Sequence, residues 1–161
     1  MKLSIKIMRI IFIMVIALCV LTVLYNIVSF NINSGKLDKI VNENNTIMIE
    51  RYDQRDSTFS QTYTIVDMDN NKYYKVEKQY IPATINPVAI FTNTCKYKVY
   101  ELNSSEVEEI VEIYNSELER EEEELLEITR DRLVLYSYRM IYNETRVLVT
   151  GNYDLLQKIV E

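Results

Sequence analysis

An uncharged apolar run near the amino terminus constrains the fold of this chain more than any other feature. From Ile10 to Phe30 the residues are apolar except for Thr22, Asn26 and Ser29. At about 1.5 Å per residue, a helix of these 21 residues would extend about 31 Å, close to the hydrocarbon thickness of a bilayer. We therefore predict a membrane anchor in residues 1–30. The residues assigned to this anchor are Ile10, Ile16, Leu21, Tyr25 and Phe30.

Three other interpretations of the same run stay open. A secretory signal has an apolar region of about 7–15 residues and a cleavage site of small residues, whereas this run is longer and its best site, after Ser29, follows a poorly suited Ile27. A lipoprotein signal would use Cys19, but Leu18 stands where a small residue is expected. The run could also form a helix buried within the fold. A retained anchor is favoured by the length, with Cys19 as a small apolar residue inside it.

The charges around the run predict its orientation. Lys2, Lys6 and Arg9 precede it, and the next charged residue is Lys36. Basic residues before a membrane helix favour a cytoplasmic amino terminus, which places the rest of a single-pass chain outside the cell membrane. Lys39 adds to Lys36 on the far side and partly offsets this preference. The lipid bilayer is therefore the first partner that the sequence predicts.

The remaining chain divides into a linker and a domain. Residues 31–45 are polar and are predicted to form a juxtamembrane linker with a short helical turn at Leu37–Val41. Residues 46–161 are predicted to form an extracytoplasmic domain, because 48% hydrophobic and 26% charged residues are typical of globular chains.

Alternating apolar residues predict four strands before a long helix, and two strands and a short helix after it. The polar "DMDNN" stretch, Asp67–Asn71, predicts a hairpin turn, and Asn143–Glu144 predicts a second one. The expected fold class is α+β: a mostly antiparallel sheet packed by one long amphipathic acidic helix and a short carboxy-terminal helix.

The long helix has both a start signal and an apolar stripe. Ser105 followed by Glu108 resembles a capping box, which predicts Ser105 as the N-cap. The stripe predicts a helix lying across the sheet, and a coiled-coil seam is the alternative. Glu121 interrupts the stripe and favours the first interpretation. The stripe consists of Val107, Val111, Tyr114, Leu118, Leu125 and Ile128.

The composition argues against most catalytic chemistry. Histidine is absent, so the usual general base near neutral pH and the commonest transition-metal ligand are missing. Outside the apolar run Cys95 is the single cysteine, and it is expected to be a buried core residue. "DMDNN" has alternate oxygen ligands but lacks the glycine and glutamate that a calcium loop needs. We predict no enzymatic activity, no metal site and no cofactor.

Charge is concentrated in the long helix. Residues 104–129 contain eleven glutamates and one arginine, about −10 in charge, within a chain of net charge −6. An acidic surface argues against nucleic-acid binding, which needs basic residues. Such a run is usually a solvated helix face, but it could also contact another protein, as could the proline-containing loop Ile81–Thr94. The residues assigned to a possible interaction surface are Glu117, Glu121, Glu124, Pro87 and Phe91.

These observations predict a membrane-anchored, non-catalytic binding or sensing module outside the cell membrane, with an unidentified ligand or protein partner. The alternative is a structural subunit that self-associates, or joins a membrane complex, through its acidic helix.

Overall fold

A computed structural model describes residues 2–51, 60–82, 85–86, 92–126, 136–150 and 153–161; side chains of residues 2–5, 121–126, 136–137 and 150 are outside this description. The helices in these ranges are α1 (Lys2–Glu43), α2 (Ser104–Leu126) and α3 (Asp154–Val160). The strands are β1 (Thr46–Arg51), β2 (Ser60–Asp67), β3 (Lys72–Gln79), β4 (Thr94–Glu101), β5 (Tyr136–Tyr142) and β6 (Thr145–Thr150).

The six strands form one antiparallel sheet in the order β4-β3-β2-β1-β5-β6. Both predicted hairpins are confirmed. β2 and β3 pair through Asp67 and Lys72, and Asn71 has a φ of 51° in the turn between them. β5 and β6 are joined by Asn143 and Glu144, with φ of 47° and 67°, as a tight two-residue hairpin requires. The predicted α+β class is thus confirmed.

One face of the sheet carries α2 and α3 over the larger hydrophobic core. The predicted packing of α2 on the sheet is confirmed, since Val107 and Tyr114 are buried and Val111 and Leu118 are partly buried against the same core. The side chain of Leu125 and all of Ile128 lie outside the described residues. The strand and α3 residues of this core are Ile47, Ile49, Val66, Tyr73, Tyr138, Met140, Val147, Val149, Leu155, Leu156 and Ile159.

The start of α2 differs from the prediction by two residues. Asn103, not Ser105, is the N-cap: its Oδ1 accepts the Glu106 backbone N–H at 2.9 Å, and the Glu106 carboxylate accepts the Asn103 N–H at 2.9 Å. Both residues are good capping types with a glutamate three positions later, so local sequence does not separate them. A tertiary contact distinguishes them: the Leu102 N–H still donates to the Asn71 carbonyl beside the sheet, so Asn103 is the first residue free to cap the helix.

The other face of the sheet carries the last third of α1. Leu37 is buried in a cluster with Ile65, Val76 and Cys95, and Phe30 and Ile40 pack around it. Residues 31–45 are therefore not an extended linker, since α1 continues without a break to Glu43. Although this segment is polar in composition, its buried residues recur every three or four positions, which places one side of α1 on the sheet. The partly or fully buried residues of α1 from Phe30 onward are Phe30, Asn33, Ser34, Leu37 and Ile40, and Asn44, which follows the helix, is also partly buried.

We expect Leu37→Ala to lower the free energy of unfolding by about 2–4 kcal/mol, because it removes the central side chain of this contact. Val41→Ala, one turn along the same helix at an exposed position, should cost much less. Both changes in unfolding free energy can be measured by denaturant unfolding of the full chain in detergent. The reactivity of the Cys95 thiol reports unfolding, and a Cys19→Ala background removes the other thiol. Equal losses for the two variants would contradict the docking of α1.

Candidate functional site

The first part of α1 is exposed and apolar. Ile10, Ile16, Leu21 and Tyr25, all assigned to the anchor from sequence, are between 47% and 71% exposed. The described part of the chain contains one helix, α1, that is long and apolar enough to cross a membrane by length and composition. Water would solvate this surface poorly, so the exposed part of α1 is a candidate site for contact with lipid.

Phe30, the fifth assigned anchor residue, lies where α1 reaches the sheet. Its ring stacks on that of Tyr80 with centroids 5.9 Å apart, and the Lys78 ammonium lies 6.0 Å from its centroid. Lys78 also donates to the Ser34 hydroxyl at 3.2 Å. Phe30 therefore marks the boundary between the exposed and the docked parts of α1.

Polar contacts fix α1 along the sheet at both ends of its docked part. The Asn33 side-chain amide donates to the Cys95 carbonyl at 2.8 Å. At the far end the Asn44 amide donates to the Asp67 carboxylate at 2.7 Å. A helix that is held at two separated points cannot pivot freely, so the direction of its exposed part is set by the sheet.

The "DMDNN" turn supports this attachment. Asp67 accepts hydrogen bonds from Asn44 and Asn70, and Asp69 accepts them from Asn45. The backbone N–H and then the side chain of Asn45 hold the pKa of Asp69 below its usual range. These carboxylates thus serve the turn and the end of α1. In the residues that the structure describes, no group of three or more cysteine, aspartate or glutamate side chains is placed to hold a metal ion.

Cys95 is buried beside α1, as predicted, with 2% of its surface exposed. Burial raises the pKa of its thiol, and the nearby Lys78 ammonium opposes this effect. A buried thiol with a raised pKa is a weak nucleophile, so Cys95 contributes to packing in this position.

Glu117, assigned from sequence to a possible interaction surface, lies on the buried side of α2. It is 4% exposed, accepts a hydrogen bond of 2.9 Å from the Tyr153 hydroxyl and forms an ion pair with Arg120. Burial, together with this hydrogen bond, raises the pKa of the Tyr153 phenol. Helical spacing from Val107, Ile110 and Ile113 places Glu117 on the core side, where it is not available to a partner.

The other residues of that assigned surface are described in part or not at all. Glu121 and Glu124 belong to α2, but their side chains are outside the description. Pro87 and Phe91 lie outside the described residues. Their predicted roles stay predictions.

A shallow groove that was not predicted from the sequence lies along the flank of α2, where the helix meets the β2–β3 turn. Its volume is about 570 Å³, and Met68 of the β2–β3 turn lies across from the helix residues Val107 and Val111. Only tertiary structure brings Met68 to α2, so the sequence carried no signal for this groove. The remaining lining residues are Glu108, Glu112, Asn115, Ser116 and Glu119.

The groove combines an apolar floor with an acidic rim. Glu108, Glu112 and Glu119 are exposed, and none of them forms an ion pair with another residue that the structure describes. Exposed carboxylates around apolar side chains suit a partner that offers an apolar side chain between basic ones. The open shape suits a side chain of another protein better than an enclosed small molecule.

Comparison of this chain with protein-family models, curated proteins and solved structures finds no match.

We expect Glu117→Ala to lower the free energy of unfolding by about 2–3 kcal/mol, because the Tyr153 hydroxyl loses its acceptor and Arg120 loses a buried counter-charge. Glu112→Ala removes an exposed glutamate from the same helix and should change it by less than about 0.5 kcal/mol. Thermal or denaturant unfolding of the full chain distinguishes the two. Similar values for both variants would show that Glu117 does not act within the core.

Proposed function

We propose that this chain is a single-pass membrane protein that holds a non-catalytic α+β binding domain against the outer side of the cell membrane. The observation that carries this proposal is the division of α1. One unbroken helix is apolar and exposed over its first part and packed on the sheet over its last part. A bilayer would cover the first part of α1. The docked last part would then fix the orientation of the domain relative to the membrane.

The charge pattern supports the proposed orientation. Lys2, Lys6 and Arg9 precede the apolar run and would remain in the cytoplasm. The domain that follows is acidic along α2, and acidic residues do not oppose export in the way that basic ones do.

The groove beside α2 supports the proposed binding role. Met68 and Val107 lie near the end of the sheet that carries the β2–β3 turn, which is next to Asn45 and Glu43 at the end of α1. That end is farthest along α1 from its apolar part, so the groove would face away from the bilayer and stay open to a partner. The acidic rim favours a partner with a basic, amphipathic contact segment.

Self-association through α2, the structural alternative, has weaker support. The stripe residues that the structure describes, Val107, Val111, Tyr114 and Leu118, already pack on the core that the sheet and α3 share. The outer side that remains carries exposed carboxylates, and two copies of the same acidic surface repel each other. A partner of opposite charge satisfies this surface better than a second copy does.

For location, we expect the full chain of 19.1 kDa to stay in the membrane fraction after alkaline carbonate extraction. Protease added outside intact cells should digest the domain and leave cytoplasmic proteins uncut. Leu21→Arg should weaken membrane retention, because a cation at the centre of the span costs about 2.5–3.5 kcal/mol; Thr22→Ser is the matched neutral control. A shorter chain released into the medium would instead indicate a cleaved signal.

For binding, we expect a synthetic amphipathic helical peptide of lysine and leucine to bind the full chain held in uncharged phosphatidylcholine nanodiscs. Glu112→Lys, on the groove, should weaken this binding about tenfold through like-charge repulsion. Glu109→Lys changes an exposed glutamate on the same helix that does not line the groove, and it should have a smaller effect.

Two outcomes would contradict the binding role of the groove. Equal effects of Glu112→Lys and Glu109→Lys would indicate unspecific attraction between charges. A dimer in sedimentation that Leu118→Glu abolishes without unfolding would support the structural alternative.

A further inference from the structure

We infer that the domain touches the outer surface of the bilayer at a second place, through Tyr80 and Ile85 in the loop that follows β3. This inference rests on the proposed membrane anchor and adds a contact that α1 alone does not supply. It assigns the chemistry of an interfacial lipid contact to a loop outside the apolar run.

β3 runs in the opposite direction to α1, from the carboxy-terminal end of the helix back toward Phe30. The turn before β3 lies beside the end of α1, because Asn45 donates to Asp69 at 2.9 Å. The residue after β3, Tyr80, stacks on Phe30, which lies thirteen residues before Glu43 on the same helix. The strand therefore runs back along α1 toward its exposed apolar part, and the loop after β3 emerges at that end.

The position of Phe30 along α1 sets its depth relative to the bilayer. Phe30 closes the run that begins at Ile10, and that run is about as long as the hydrocarbon core is thick. If the run spans the bilayer, Phe30 lies at the level where the acyl chains meet the headgroups. Tyr80 stacks on Phe30 and must lie at the same level.

Tyr80 and Ile85 expose apolar surface to the proposed lipid contact. Tyr80 is 49% exposed although one side of its ring is covered, and Ile85 is 62% exposed. Single exposed apolar residues are ordinary on a protein surface. Here, however, Tyr80 adjoins the apolar part of α1 through Phe30, and Ile85 follows it five residues later, so the contact would extend a surface that the proposed anchor already places in lipid. Tyrosine is also among the residues that prefer the membrane interface.

Hydrogen bonds constrain the residues of this loop that the structure describes. The backbone N–H groups of Ile85 and Asn86 donate to the Pro82 carbonyl at 2.9 and 3.1 Å, which closes a turn. Asn93, 4% exposed, accepts the Ile81 N–H at 2.8 Å and fixes the base of the loop to the sheet. An apolar side chain on a fixed turn loses little conformational entropy when lipid covers it.

Lys78 completes the contact. Its ammonium lies beside Phe30 and the Ser34 hydroxyl, at the membrane-facing end of β3. A basic group at this level suits the phosphate groups of lipid headgroups. With α1 as one attachment and the loop as a second, the domain would have a defined tilt and could not swing about the helix.

Because the chain has no tryptophan, a single introduced tryptophan reports its own environment. Three variants of the full chain are reconstituted in phosphatidylcholine vesicles whose lipids are brominated near the top of the acyl chains. Ile85→Trp tests the loop, and Tyr25→Trp tests the anchor. Val99→Trp is the matched control, because Val99 is an exposed aliphatic residue near the opposite end of the sheet.

We expect the brominated lipid to quench roughly half of the emission of Ile85→Trp and Tyr25→Trp, and to leave Val99→Trp unchanged. Tyr80→Trp, which keeps an aromatic ring on Phe30, should behave as Ile85→Trp does and serves if the latter misfolds. Quenching of Tyr25→Trp alone would overturn the loop contact and leave the anchor standing. Absence of quenching at Tyr25 would overturn the anchor itself, and equal quenching at Val99 would overturn the defined tilt.

Discussion

The packing of Leu37 on the second face of the sheet is the contact on which the rest of the arrangement depends. Burial of a leucine side chain stabilises a fold by about 2 kcal/mol, and this one also covers Ile65, Val76 and Cys95. Without it, α1 would be attached to the sheet only by the short connection to β1 and by contacts at single residues such as Asn33 and Phe30. With it, the exposed apolar part of α1 and the sheet have one fixed relative direction, which gives the proposed membrane anchor a consequence for the domain.

The sheet separates two kinds of surface. On one face α1 brings an apolar helix, stacked aromatic rings and Lys78 together near Phe30. On the other face α2 packs Val107, Ile110 and Tyr114 on the sheet, and among its described glutamates Glu108, Glu109, Glu112 and Glu119 are exposed whereas Glu117 is buried. The groove at Met68 lies toward the end of the sheet opposite Tyr80, because the two positions bracket β3. This separation would place the proposed lipid contact and the proposed binding groove at opposite ends of one domain.

Much of the fold was predictable because it depends on short-range patterns. Alternation of apolar and polar residues located the strands, and Asn143–Glu144 located a turn that requires positive φ. The N-cap at Asn103 was missed because Ser105 has the same local pattern. The docked part of α1 was missed because residues 31–45 are polar in composition, although two of these polar residues, Asn33 in the helix and Asn44 just after it, contact the sheet.

The site was less predictable than the fold. Ile10, Ile16, Leu21 and Tyr25 are exposed as an anchor requires, whereas Glu117 is buried, and the groove and the Phe30–Tyr80 stack were not foreseen. A charged residue on an acidic helix gives no sign of which side it occupies unless the buried side is known. Glu117 accepts a hydrogen bond from Tyr153, which is 36 residues away in the chain, so no local sequence pattern predicts this contact.

By itself the sequence determined the apolar span, the acidic helix, the two hairpins and the α+β class, because each follows from the spacing of residues within about twenty positions. Tertiary structure alone decided which side of α1 is buried, which glutamate enters the core and which loop lies beside Phe30. Those outcomes depend on contacts between residues far apart in the chain, such as the hydrogen bond from Asn33 to Cys95 across 62 positions. Only the packed fold brings such residues within bonding distance, and the free energy of that packing selects among the faces that local patterns leave equivalent.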